Sequence, residues 1–193
     1  MIISVMTRRI TIYTAILLWL FAGDAYAMPD MKKAFSEVTF ISSSQSEHSL
    51  NTHKGKVLLV FFGYTHCPDI CPTTMLDIRK SLQDLGENAE NVQPIFISVD
   101  YKRDTPEIID NYVKFFDKRI IGLTGSEDML SLASKSFKTS YALLDSKNTD
   151  NYLVEHSSNL FIIDRELVVR RIIPNGLPHS EITKTLKELL NID

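Results

Sequence analysis

The chain is short of three things, and each shortage excludes something. It has two cysteines in 193 residues, Cys67 and Cys71. That is too few for a scaffold stapled by disulfides, so a packed apolar core has to hold the fold. It has no excess of either charge: 21 Lys and Arg stand against 24 Asp and Glu, a formal net charge of −3. Nothing in that balance calls for nucleic acid or an anionic membrane surface as a partner. It also lacks an apolar run of the roughly 20 residues that crosses a bilayer. The apolar run at residues 10–23 has 14. No internal repeat is visible, and no composition shift marks a second domain.

What is there begins with that short run. Arg8 and Arg9 precede it, and "AYA" at residues 25–27 follows with small residues at its two ends. Charge, apolar stretch and small residues in that order make a secretory leader. The expectation is cleavage after Ala27, with retention as an uncleaved anchor the alternative. "TRRITI" carries one arginine pair, a weak twin-arginine signal. No cysteine follows the apolar run, so lipid attachment there is excluded. Residues 28–193 then suit one domain with a real core. A disulfide between the two cysteines of an exported chain is permitted but not required.

Buried strands and helices alternate along that domain. "KVLLVFFGY" (residues 56–64) is a continuous β-branched and aromatic run, read as a central strand. A helix is expected over residues 72–86, with Pro72 in its first turn, Gly86 at its stop, and Met75, Ile78, Leu82 and Leu85 facing the core. A second strand follows at 92–100. A second helix spans 104–116, capped by Asp104 or Thr105. A short strand at 119–125 precedes a third helix capped by Ser126. Residues 146–151 read as a hairpin-like excursion. Strands at 159–164 and 167–174 pair across a tight turn, and an amphipathic helix closes the chain. Residues 28–55 give no strand. This order implies an α/β fold: a central mixed sheet with helices on both faces, thioredoxin-like with insertions.

Both cysteines sit in "GYTHCPDICP", between the first strong strand and a helix, where open α/β sheets place their sites. The helix start lowers thiol pKa, so both Cys67 and Cys71 are expected to supply thiolate at neutral pH. Three residues separate them. Two would suit rapid disulfide exchange; a third lets both sulfurs point at a common object. A soft pair of thiolates favours Cu(I) or Zn(II) over Mg or Ca. A disulfide across the loop remains geometrically open. Five histidines are candidates to complete a metal site. His66 adjoins Cys67 and reads as a loop residue. His48 and His53 lie in the polar N-terminal stretch, and His179 lies at a helix start. His156, in the connection leading into a buried strand, can reach the cysteine loop from across the sheet.

"GKVLLVFFGYTHCPDICPTT", "ISVDYKRDTPE", "IGLTGSEDM" and "YLVEHSSNLFIID" together resemble the Sco/SenC family of copper-binding proteins, over roughly residues 50–190 in the same order. The resemblance implies a thioredoxin-like assembly factor for the copper site of cytochrome c oxidase, with copper on Cys67, Cys71 and His156. Three features depart from the pattern: Glu155 stands where the family has Asp, Tyr101 follows Asp100 where it has Pro, and the N-terminal stretch is compressed. "EHSSN" offers an imidazole where thioredoxin-like oxidoreductases carry a cis-proline. Cys2His is a trigonal set that suits Cu(I); Cu(II) would want a further ligand, water or Glu155.

Two functions are expected from this. In the first, the protein is a metallochaperone that carries one copper, Cu(I) or Cu(II), to an acceptor. That acceptor is a cytochrome c oxidase subunit or another periplasmic copper carrier, and no substrate is turned over. In the second, it is a thiol–disulfide reductase that keeps the acceptor's copper-ligand cysteines reduced. A thiol peroxidase is disfavoured, because "FFGYTHC" does not supply the expected Pro-x-x-x-Thr-x-x-Cys. Zinc in vitro fits a Cys2His start. The expected location is the bacterial periplasm, free after cleavage or tethered to the inner membrane by the N-terminal segment.

Overall fold

A computed structural model describes residues 31–144 and 152–192. The leader at 1–27 and the excursion at 146–151 lie outside the described residues.

The run at 56–64 becomes β3 (Val57–Gly63), buried at every position. Side chains alternate along a strand, so a run that is apolar throughout must be covered on both faces. Leu58, Val60 and Phe62 enter one core, while Val57, Leu59 and Phe61 enter the other. On one side β3 pairs in parallel with β4 (Val92–Ser98) over its full length, from Val57↔Val92 to Gly63↔Ser98. β4 in turn pairs in parallel with β5 (Ile121–Thr124). On the other side β3 pairs antiparallel with β8 (Leu160–Ile163), and β8 with β9 (Val169–Ile173). The expected final hairpin is therefore present and lies beside the central strand.

Five helices are described. α1 (Lys32–Ser36) and α4 (Glu127–Ser136) cover one face through Ala34, Phe35, Leu130 and Ala133. α2 (Ile70–Asp84), α3 (Pro106–Phe116) and α5 (His179–Leu190) cover the other, through residues such as Met75, Ile109 and Leu186. Thr105 rather than Asp104 caps α3 by accepting from the Ile108 N–H, and Ser126 caps α4 through Met129 N–H. α2 begins two residues earlier than the sequence suggests, so Cys71 lies in its first turn and not before it.

Residues 28–55 hold two strands that the sequence did not announce. β1 (Phe40–Ser42) pairs antiparallel with β5 and with β2 (Glu47–His48), giving the order β2-β1-β5-β4-β3-β8-β9. The serine-rich stretch between them is a turn. Ser42, Ser44 and Ser46 bond one another through their hydroxyls at 2.7–3.1 Å, and Gln45 takes φ +56°. Outside this sheet, β6 (Tyr141–Leu143) and β7 (Val154–His156) form a separate antiparallel ribbon in which Tyr141 faces His156.

Candidate metal centre

Three pieces of chain meet at the carboxyl end of β3. The first is the loop carrying Cys67. It leaves β3 at Gly63, and its course is fixed from behind by Asp104, which is fully buried. That carboxylate accepts from Thr65 N–H at 2.8 Å, from the Thr65 hydroxyl at 2.6 Å and from the Ser98 hydroxyl at 2.5 Å. The second is the first turn of α2, which buries Cys71 completely. Gly63 makes room for it: a Cβ there would lie 2.8 Å from Cys71 Sγ and 2.8 Å from the Phe96 ring. The third is the β6–β7 ribbon, which brings His156 over the loop.

The ribbon belongs to neither main-sheet edge, so something else must seat it. Tyr152, just ahead of β7, donates its hydroxyl to the buried carboxylate of Asp100. Arg103 grips the same carboxylate through Nε and Nη2, both at 2.6 Å, and lies 3.6 Å above the Tyr152 ring. Burial, and next the Asp100 carboxylate, push the Tyr152 phenol up. The His156 ring then packs edge-on against Tyr64 and Phe61, with centroids at 5.7 and 6.2 Å.

Sγ of Cys67, Sγ of Cys71 and a ring nitrogen of His156 lie within 4.8 Å of one another. His156 Nε2 is 3.6 Å from Cys71 Sγ, and Nδ1 is 3.1 Å from the Ser157 carbonyl. A carbonyl only accepts, so Nδ1 donates to Ser157, and Nε2 is the ring nitrogen turned to the sulfurs. The two thiols are not equivalent. A hydrogen bond from Cys71 holds the Cys67 thiol at about 4, against opposition from burial, with help from the N–H groups of Asp69 and Cys71. Cys71 N–H lies 3.4 Å from Cys67 Sγ. Bonding to Cys67, together with burial, pushes the Cys71 thiol up. The expectation of two alike thiolates gives way to an unequal pair in the metal-free protein: Cys67 is shifted toward thiolate and Cys71 toward thiol, because the hydrogen bond between the two sulfurs favours charge on only one of them.

The SCO1/SenC family profile matches residues 26–191.

The chain belongs to the SCO1/SenC family.

It is 42% identical over 113 residues to the SCO2-like protein of Rickettsia prowazekii (strain Madrid E), an alignment covering 58% of this chain and 55% of that protein. It thus spans little more than half of that relative's length. It superposes on Bradyrhizobium japonicum ScoI with copper bound at a TM-score of 0.73 and 29% identity, covering 84% of this chain and 99% of the other. It also superposes at 0.62 and 25% identity, covering 86% and 99%, on BsSco. That structure is described as showing a disulfide switch in a member of the Sco family of cytochrome c oxidase assembly proteins. The fold is thioredoxin-like, as expected, with the mixed sheet and flanking helices described above.

Within this SCO1/SenC chain the structure brings together Cys67, Cys71 and His156, the three candidates named from sequence. It leaves the others apart. His66 is exposed and contacts Thr65 and Asp104. His179 lies 3.5 Å from Asp84. Glu155 is exposed and stands outside the Cys2His group, so the suggested carboxylate ligand is not among the grouped atoms. Asp100 serves the ribbon and not the loop. Sequence reasoning missed Asp104 and Tyr152. Asp104 had been offered as a helix cap, and a cap and a buried bracket carry the same residue type. Tyr152 had no signal beyond an aromatic next to a polar stretch.

Proposed function

We propose that this protein carries one copper ion on Cys67, Cys71 and His156 and passes it to an acceptor during assembly of the copper site of cytochrome c oxidase. The observation that carries this is the convergence of two sulfurs and one imidazole nitrogen within 4.8 Å at the end of a buried strand. Two thiolates and an imidazole are a soft set that suits copper, and the copper-bound relative supports the same cargo. Copper is the cargo here, not a resident cofactor. Transfer is ligand exchange: an acceptor sulfur joins the ion before a protein sulfur leaves, so no electrons move. Cys67 is the partly exposed sulfur and Cys71 the buried one, so exchange begins at Cys67. Ser157 and the Tyr64 and Phe61 rings keep the imidazole aimed while it does.

The thiol asymmetry supports a second reading, a thiol–disulfide reductase. Cys67 thiolate attacks an acceptor disulfide and forms a mixed disulfide, expelling one acceptor thiolate. Cys71 then loses its proton and attacks Cys67 sulfur, which releases the second acceptor thiolate. The acceptor gains two electrons and this protein is left with a Cys67–Cys71 disulfide, the kind of switch named for BsSco. One experiment separates the readings: anaerobic Cu(I) loading, copper counting, then addition of an acceptor peptide in its reduced or its oxidised form. The copper-carrier reading expects one copper per chain, two masked thiols and transfer to the reduced peptide. Rapid reduction of the oxidised peptide with no copper transfer contradicts it. The domain is further proposed to work outside the cytoplasm after loss of residues 1–27. N-terminal sequencing of the exported protein checks this, and a first residue other than Met28 contradicts cleavage after Ala27.

A further inference from the structure

On the β2 edge of the sheet, apart from the Cys2His group, sits a second pair of converging ligand atoms. His48 Nε2 and His53 Nε2 are 2.9 Å apart, with ring centroids 5.0 Å apart. His48 ends β2, and His53 ends the short helical turn Leu50–His53. β2 is the edge strand, and β1, β5 and β4 lie between it and β3, whose carboxyl end carries the cysteine loop.

From this we infer a second metal site, in which His48 and His53 together chelate a borderline divalent cation: Cu(II), Zn(II) or Ni(II). The separation fits that use. Metal–imidazole bonds of about 2.0–2.1 Å meeting at 90–109° put two nitrogens about 2.9–3.3 Å apart. Imidazole pairs suit these cations and not Mg or Ca. The backbone around the pair is pre-built. His48 pairs with Phe40 in the β1–β2 ladder. Leu50 is fully buried, Ser49 caps the turn by accepting from Asn51 N–H, and Gly55 N–H donates to the Arg165 carbonyl at 3.0 Å. Both histidines are only partly buried, so an ion and its waters can reach them. Burial disfavours the charged form of both rings: His48 is lowered, and His53 is lowered to about 4, with His48 and Lys56 adding to the effect. On binding, the imidazole that donates in the present Nε2···Nε2 bond moves its proton to Nδ1, freeing its lone pair. Waters complete the coordination, and the nearby Lys56 ammonium opposes it.

The site is tested in a chain whose cysteines have been replaced, Cys67→Ser with Cys71→Ser, so that failure of the copper-carrier reading leaves the result unaffected. Cu(II) is titrated into that protein and followed by electron paramagnetic resonance and calorimetry, with Zn(II) as a second probe. The expected result is one Cu(II) bound with nitrogen hyperfine structure from two imidazoles and no thiolate-to-copper band. Adding His48→Gln with His53→Gln should weaken it at least tenfold. Each single glutamine variant, checked for native circular dichroism, should do the same, and Zn(II) should raise the melting temperature only when both histidines are present. Cu(II) affinity within threefold of the parent in the glutamine variants overturns the site, as does the absence of Cu(II) binding in the cysteine-free parent.

Discussion

Asp104, Asp100 and Tyr152 hold the loop and the ribbon that carry the proposed copper ligands without being among them. Tyr152→Phe removes one bond to a buried carboxylate and should cost about 1–3 kcal/mol of stability. It should also loosen His156, read as a broadened Cu(II) resonance spectrum alongside a lower urea midpoint. A narrow, unchanged spectrum would mean that the ribbon is seated by packing alone. Cys67 and Cys71 are pushed in opposite directions. With its thiol held at about 4, Cys67 should keep its rate of alkylation by iodoacetamide from pH 8 down to about 5 in the metal-free reduced protein, while Cys71 stays protected. Peptide mass spectrometry reads both, and a tenfold fall per pH unit below 8 at Cys67 would contradict the assignment. Residue types and spacing made Cys67, Cys71 and His156 legible in the sequence. Their inequality was not legible, because it arises from burial and from a hydrogen bond that exists only in the folded loop.

The elements were legible where one physical signal dominated. β3 is apolar throughout, and β4 is apolar except at Gln93 and Ser98, because both faces are covered, and the caps Thr105 and Ser126 stand where helix starts need them. β1 and β2 were not legible. They are three and two residues long, and serine hydroxyl bonding hides a hairpin turn inside what reads as a polar loop. The start of α2 was also misplaced, since Pro72 is allowed anywhere in a first turn. That placement matters because it puts Cys71 under Gly63. Gly63→Ala should overpack this contact, at about 1–3 kcal/mol, and should weaken copper binding by displacing the Cys71 sulfur. Gly86→Ala serves as its control. Gly86 has φ +55° with open space around its Cβ, so the change strains the backbone of the α2 stop and should leave copper affinity unaltered. Equal copper affinity in Gly63→Ala and Gly86→Ala would contradict the packing role.

At the scale of the whole molecule the sheet carries two groups of ligand atoms, the Cys2His group beyond β3 and an imidazole pair at the β2 edge. Acid should act on the fold through the imidazole pair. His53 is held at about 4 in the folded chain, against 6.5 when free. Between those values the unfolded chain takes up the proton and the folded one does not, so stability falls as pH drops through that window and levels off below it. His53→Gln should flatten the fall, measured as urea midpoints between pH 7 and 4; an unchanged slope would show that other groups set it. The Cys2His group is the site proposed to carry copper. Copper K-edge X-ray absorption of the Cu(I)-loaded protein, compared with His156→Ala, tests it most directly. The account predicts two sulfur scatterers and one nitrogen scatterer in the parent, with loss of the imidazole signal in the variant. Identical spectra from the two proteins would contradict it.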